Sequence, residues 1–480
     1  MINELEEWIE RNQEQFITIS DKIWRYAEIG LLEEKSSELL ADVLENAEFE
    51  VERGVADMPT AFVATYGTGR PIIGILGEYD ALPGLSQAAK VIKMPLKEGG
   101  AGHGCGHNLF GAACLAACLA IKESIRTGKV NGTIRFYGTP AEENFDAKGW
   151  MVKKGLFDVV DIALTWHPSD LNMVTAYNYQ AIFSVVFKFH GRAAHAAGDP
   201  FNGRSALDAV ELMNVGCNYL REHIIPDARI HYVITDGGGK APNVVPNFAS
   251  VWYYVRAPRL DQVQDIYPRV VKVAEGAALM TETELEIEFL GGSSNLFPNI
   301  TLEELLLKKM KAIGPPLFNE ADLKFAEKIR ENFPPMYFEN MLAQLPKEMQ
   351  GVVEQLRDVT LCNEILPILG RGETLGGSTD VGDVSWVVPT AQFQSACYAI
   401  GTPGHSWQLV AQSGMSIGHK GMLQAAKVLG LSTIELMQNP ALVKKAREEF
   451  EEQIKKTPYN SPLPDECKPP VTFFKKLHNQ

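Results

Sequence analysis

The chain has 480 residues, 45% of them hydrophobic and 22% charged, with a formal net charge of -15. That length calls for two domains or more and supplies ample material for a large core. The acidic balance, with no basic run carrying interleaved aromatics, argues against a nucleic-acid or anionic-membrane surface as the main partner.

Helical patterns dominate to about Glu45, and the opening MINELEEWIERNQEQF is acidic and amphipathic rather than a secretory signal. After that, short strands alternate with helices. PIIGILGEYD, from Pro71 to Asp80, is a continuous apolar run ending on acids, as a buried parallel strand would be. GHGCGHN, from Gly102 to Asn108, then packs two histidines and Cys105 into seven residues ahead of the apolar run Leu109 to Ile121. That run is too short to span a bilayer and reads as a buried helix. The C-x-H spacing is tighter than the C-x₂-C pair of a structural zinc site. Taken alone, the stretch is either a Gly-rich turn beside a core or half of a metal site completed from further along the chain.

TIRFYGTPAEEN, from Thr133, repeats the design of strand, turn and acids, here Glu142 and Glu143. DIALTWHPSD, from Asp161, ends on His167, and YAIGTPGHSW, from Tyr398, reads as a fourth such strand ending on His405. Between them the rhythm changes. IFSVVFKFHG alternates like a half-buried strand. It is followed by a helix (Ser205 to His223), the strands RIHYVITDG and FASVWYYVRAP, a helix (Asp261 to Met280) and the strand ELEIEFLGG. The order β-α-β-β-α-β is ferredoxin-like. The expected fold is therefore α/β: a catalytic domain with a mixed or parallel sheet, residues 1–178 and 294–480, carrying an inserted ferredoxin-like α+β domain, residues 179–293. The segment Pro315 to Pro346 reads as a surface excursion, and the tail after Thr457 as an extended arm. Seven cysteines, an odd number, form no disulfide framework and point to a reducing cytosol. Cys114 and Cys118 are most simply small core residues.

In open α/β sheets functional groups gather at the carboxyl ends of strands. Those ends offer Cys105, His107, Glu142, Glu143, His167 and His405. Thiolate, imidazole and carboxylate together suit Zn²⁺, with Mn²⁺ or Co²⁺ as alternatives. Five ligands exceed one tetrahedral zinc but suit two ions sharing a bridging ligand and a water. Adjacent glutamates suit a division of labour, one binding metal and the other moving a proton. PAEE alone also reads as a first helical turn with acids at the dipole, and a lone Trp-His-Pro histidine as structural. The convergence of four segments favours the metal reading. No G-x-S-x-G elbow is present, and GGSTD around Ser378 reads as a loop.

HGCGH, PAEE, WHP and the late GH, around a lid containing GRAAHAAGDPFNGRSALDAV, resemble the binuclear-metal amidohydrolases and peptidases of the aminoacylase and carboxypeptidase G superfamily. The likeness is to the branch of indole-acetyl-amino-acid and hippurate hydrolases, and within it GEYDALPGL and GTPGHSWQ look like the aminobenzoyl-glutamate utilization group. The resemblance implies that Cys105 bridges two divalent ions, zinc first and manganese as the alternative. His107, Glu143, His167 and His405 would be the remaining ligands, Glu142 the general base and acid, and Asp80 an orienting group. Glu78, where many relatives carry a ligating histidine, is expected not to touch metal. His195 would reach the substrate carbonyl, in many relatives from the partner subunit; Asn243 would be a polar substrate contact and Arg256 a carboxylate grip. The implied reaction is hydrolysis of an N-acyl amino acid, p-aminobenzoyl-glutamate first, with a dipeptide or another acyl amino acid as alternatives. A non-catalytic homologue or one subunit of a two-chain hydrolase is the second class. The implied assembly is a homodimer through the lid or a hetero-oligomer with an A-type subunit, cytoplasmic, without nucleic acid or membrane.

Overall fold

In the computed structural model, which describes residues 2–144 and 146–478, the strand-like runs sort into two sheets. The larger has seven strands: β1 (Glu50–Arg53), β2 (Phe62–Thr68), β3 (Ile72–Gly77), β4 (Gly132–Gly138), β5 (Ile162–Ser169), β6 (Met173–Thr175) and, much later in the chain, one formed by Thr390–Ala396. The smaller has four: β7 (Ala181–His190), β8 (Arg229–Asp236), β9 (Phe248–Ala257) and β10 (Glu284–Ser293). The Thr390–Ala396 strand is therefore β11.

The large sheet runs β1-β2-β4-β3-β5-β11-β6. Its centre is parallel, β4-β3-β5-β11, and its margins β1, β2 and β6 pair antiparallel. Both faces are covered, so β3, β4 and β5 are buried along nearly their whole length. The helix His107–Arg126 lies at the heart of the larger core. Its 20 residues give it the length to cross a bilayer, but its flank from His107 to Ile121 is wholly buried against other helices and the sheet. Small residues let it press close: a Cβ on Gly111 would come within 2.7 Å of the Glu78 carbonyl oxygen. A second core, with Tyr137, Trp150, Phe157 and Val384, fills the opposite face.

The small sheet runs β10-β7-β9-β8, entirely antiparallel, with the helices Ala206–Leu220 and Leu260–Thr281 packed on one face around its own core. Along the chain these elements follow in the order β-α-β-β-α-β. β7 departs from the alternation expected of it, for Ser184 and Val186 are also buried. The cause is the C-terminal arm. After Tyr459 donates to Asp383 (2.9 Å), the arm ends in a short helix, Val471–His478, that sets Phe473 and Phe474 edge-on to Trp252 on the outer face of the small sheet.

Two further expectations need correction. The fourth strand is β11, TAQFQSA, and YAIGTPGHSW is the loop beyond it. The ladder to β5 ends at Ala396, before any residue of that stretch, and Gly401 at φ 79° turns the chain beyond it. The Pro315 to Pro346 segment forms two helices, Glu320–Arg330 and Tyr337–Gln344, the first burying Ala326 and Ile329.

Candidate metal centre

The carboxyl ends of β3, β4, β5 and β11 open onto one cleft. β3 delivers Glu78 and Asp80; β4 delivers Glu142 and Glu143; β5 carries His167 near its end; the loop after β11 brings His405. PAEE is a turn, not a helix start: Ala141 has φ 55° and the next helix begins at Ala147. Cys105 and His107 flank Gly106, at φ 77°, where a Cβ would lie 1.8 Å from the Tyr398 hydroxyl. Only glycine fits, and the tight turn it permits aims thiol and imidazole at one place.

Donor atoms of Cys105, His107 and His167 lie within 4.8 Å of one another, as do those of Cys105, Glu143 and His405. Cys105 belongs to both groups. A third group joins Glu78, His107 and Glu142. With ligand bonds of about 2.0–2.1 Å to N or O and about 2.3 Å to S, donors on one tetrahedral ion stand about 3.3 Å apart, or about 3.6 Å when one is sulfur. Cys105 Sγ to His167 Nε2 is 3.6 Å and His405 Nε2 to Glu143 Oε2 is 3.3 Å. His107 Nε2 and Glu143 Oε1 are buried without hydrogen-bond partners. Two donor sets at ligand spacing, sharing one thiol and leaving lone pairs unused, fit a pair of divalent cations.

Neighbouring groups orient these donors. His107 Nδ1 donates to Asp80 Oδ1 at 2.7 Å, leaving Nε2 as the ligand atom, and the Glu143 N–H donates to Asp80 Oδ2 at 3.0 Å. His167 Nδ1 donates to the Pro168 carbonyl at 2.7 Å, so its Nε2 also faces the cleft. Burial lowers the pKa of His167 to about 4 and keeps the ring neutral. Burial pushes the Cys105 thiol up, with Glu143 adding to it, so it sheds its proton only to a cation. Burial raises Glu143 to about 7, and raises Glu142 well above the usual carboxylate range, where Glu78 and Glu143 reinforce it.

Sequence reasoning missed Lys148. Its ammonium, fully buried, lies 2.7 Å from Glu78 Oε1 and 2.5 Å from Asp380 Oδ1. Glu78 Oε1 thus has its counter-charge, while Oε2 stands 3.2 Å from His107 Nε2. Removing Lys148 would strand two buried carboxylates, at a cost of about 3–5 kcal/mol. The available signal was its setting, AKGWMV, a lysine in an otherwise apolar helix.

A cavity of about 280 Å³ opens beside the cluster, reached by Cys105, Glu142, His167 and His405, and closed from the small domain by Tyr254 and Arg256. The structure does not bring His195 or Asn243 to it. Both are exposed. His195 pairs across a β-bridge with Val244, its Nδ1 accepting from the Ala197 and Gly198 N–H groups.

Over 97% of its length, and 98% of the relative's, the chain is 44% identical to the B-type subunit of the p-aminobenzoyl-glutamate hydrolase of Escherichia coli (strain K12). It is 27% identical to the Xaa-Arg dipeptidase of Homo sapiens over 92% of this chain and 90% of that one. The fold matches a Bacillus subtilis protein described as a dinuclear metal binding peptidase from the M20 family, at a TM-score of 0.50 and 15% identity, covering 89% of this chain and 99% of that one. The model of Peptidase family M20/M25/M40 matches residues 74–464. That match covers most of the chain and takes in every donor at the cleft: this hydrolase belongs to Peptidase family M20/M25/M40.

Proposed function

We propose that this hydrolase cleaves the amide bond of p-aminobenzoyl-glutamate, yielding p-aminobenzoate and glutamate. The carrying observation is one cavity that joins the shared-thiol donor set to a carboxylate, Glu142, and to an arginine, Arg256. The substrate named for the 44% identical relative supports this choice, and about 280 Å³ sits near the lower end of small-molecule pockets, about 300–1,000 Å³. Cys105, His107, His167, Glu143 and His405 would hold two divalent ions. The thiolate-containing set favours zinc over manganese. When bound, such a pair polarises the amide carbonyl and makes water a nucleophile near neutral pH. Glu142 takes the proton of the attacking water on its carboxylate and passes it to the leaving nitrogen. Arg256 holds the amino-acid carboxylate and so fixes which carbonyl faces Glu142. Asp80 keeps His107 in the tautomer that leaves Nε2 free.

His195 and Asn243 enter this scheme from a second copy. β8 is an open edge of the small sheet with Tyr232, Val233 and Ile234 exposed along it. Paired edges would bury this apolar strip. A homodimer through the lid follows, with a hetero-oligomer containing an A-type subunit as the other assembly. Sedimentation of the purified chain alone should give a dimer; a monomer would sink the homodimer. The seven cysteines, none in a disulfide, suit a reducing cytosol.

The deciding assay is release of p-aminobenzoate by the chain reloaded with Zn²⁺ or Mn²⁺ beside a chelated control. Metal-dependent release is expected. Metal-loaded protein that cleaves a dipeptide panel but not this amide would replace the substrate assignment with a dipeptidase.

A further inference from the structure

Arg256 reaches the cavity from β9 over the Tyr254 ring, 5.4 Å from guanidinium carbon to centroid. Its Nη1 donates to Ser378 Oγ at 3.2 Å, while its Nε is buried with no hydrogen-bond partner. A guanidinium can grip a carboxylate with two parallel bonds either end-on, through Nη1 and Nη2, or side-on, through Nε and Nη2. With one Nη1 bond going to Ser378, the side-on pair of Nε and Nη2 contains the buried donor that still lacks a partner.

Ser378 itself stands on a loop with little freedom. The Gln180 N–H donates to the Gly377 carbonyl at 2.9 Å. Two residues beyond Ser378, Asp380 accepts from the Lys148 ammonium at 2.5 Å and from the Lys148 N–H at 2.9 Å. The same buried ammonium holds Glu78 beside His107. The hydroxyl that fixes Arg256 is thereby referred to the same anchor as the metal half of the cleft, although Arg256 belongs to the small domain.

We propose that Ser378 is a positioning residue for carboxylate recognition: it clamps Nη1 so that Arg256 presents its Nε/Nη2 edge to the α-carboxylate of the acyl amino acid. The proposal rests on reading Arg256 as the carboxylate grip. A mobile guanidinium would lose part of its charged hydrogen bonding and so weaken substrate binding, without touching the proton transfer.

The test uses the metal-loaded enzyme with p-aminobenzoyl-glutamate and its α-carboxamide analogue. Ser378→Ala should raise KM for the carboxylate substrate about tenfold, with kcat within about twofold and metal content unchanged. On the carboxamide the variant and the unaltered enzyme should coincide. Ser378→Thr, which keeps the hydroxyl, should restore most of the loss. An unchanged KM in Ser378→Ala, an equal rise on both substrates, or a fall in kcat together with metal content would each overturn the proposal alone. An unaltered enzyme indifferent to the carboxamide would overturn the reading of Arg256 itself, and this proposal with it.

Discussion

Changing Glu142 to Gln is expected to lower kcat by about 10²–10⁴-fold while the protein keeps its full complement of divalent ions. Glu142 lines the cavity but belongs to neither of the two donor groups that contain Cys105. Its metal-facing neighbours therefore keep their ligands when it changes. Burial, with Glu78 and Glu143 next in weight, holds its pKa well above the usual carboxylate range, so the group favours the proton it would carry to the leaving nitrogen. Glutamine has nearly the same shape and can neither accept nor return that proton. Steady-state kinetics beside elemental analysis of the dialysed variant reads both halves of the expectation. Turnover near that of the unaltered enzyme would remove Glu142 from the proton path.

The second large effect is at Cys105. Because its sulfur belongs to both donor groups, Cys105→Ala should strip both ions on dialysis and abolish activity. His405→Ala touches only the group with Glu143 and should leave the other ion bound. Metal content measured on the two variants side by side distinguishes a shared ligand from two separate ones. Retention of both ions by Cys105→Ala would mean that the thiol bridges nothing. The helix starting at His107 is rigidly packed, so neither change should unfold the protein; far-ultraviolet circular dichroism checks this.

Much of this centre was legible because its donors stand beside their strands in the sequence. Apolar runs followed within a few residues by His or Glu carry their own register, and β3, β4 and β5 fell where their runs are continuous. β11 was misplaced for a physical reason. TAQFQSA carries Gln392 and Gln394 in a fully buried strand, and Gln394 is tolerated because its amide donates to the Tyr177 hydroxyl at 2.6 Å and its oxygen accepts from Ser169. YAIG looks more strand-like only because it is more apolar. Lys148 and Asp380 lie 232 positions apart, and no local pattern reports a pair made by the fold. Ser378 was read correctly as part of a loop, but the arginine it clamps comes from β9 of the other sheet. His195 and Asn243 entered through resemblance alone, and a single chain gives them no place at the cleft.

β5 and β6 are separated by only three residues in sequence, yet they are not neighbours in the sheet, for β11 lies between them. In register, Gln394 sits beside His167 and Phe393 beside both Trp166 and Val174. As the chain leaves the ribosome, that slot stays open while some two hundred further residues are made, the whole small domain among them. The small domain's strands and helices follow one another closely, and it can close its own core during the wait. The large sheet cannot. Its middle is completed only by β11, so the cleft acquires its walls late, after the small sheet and its helices have been made.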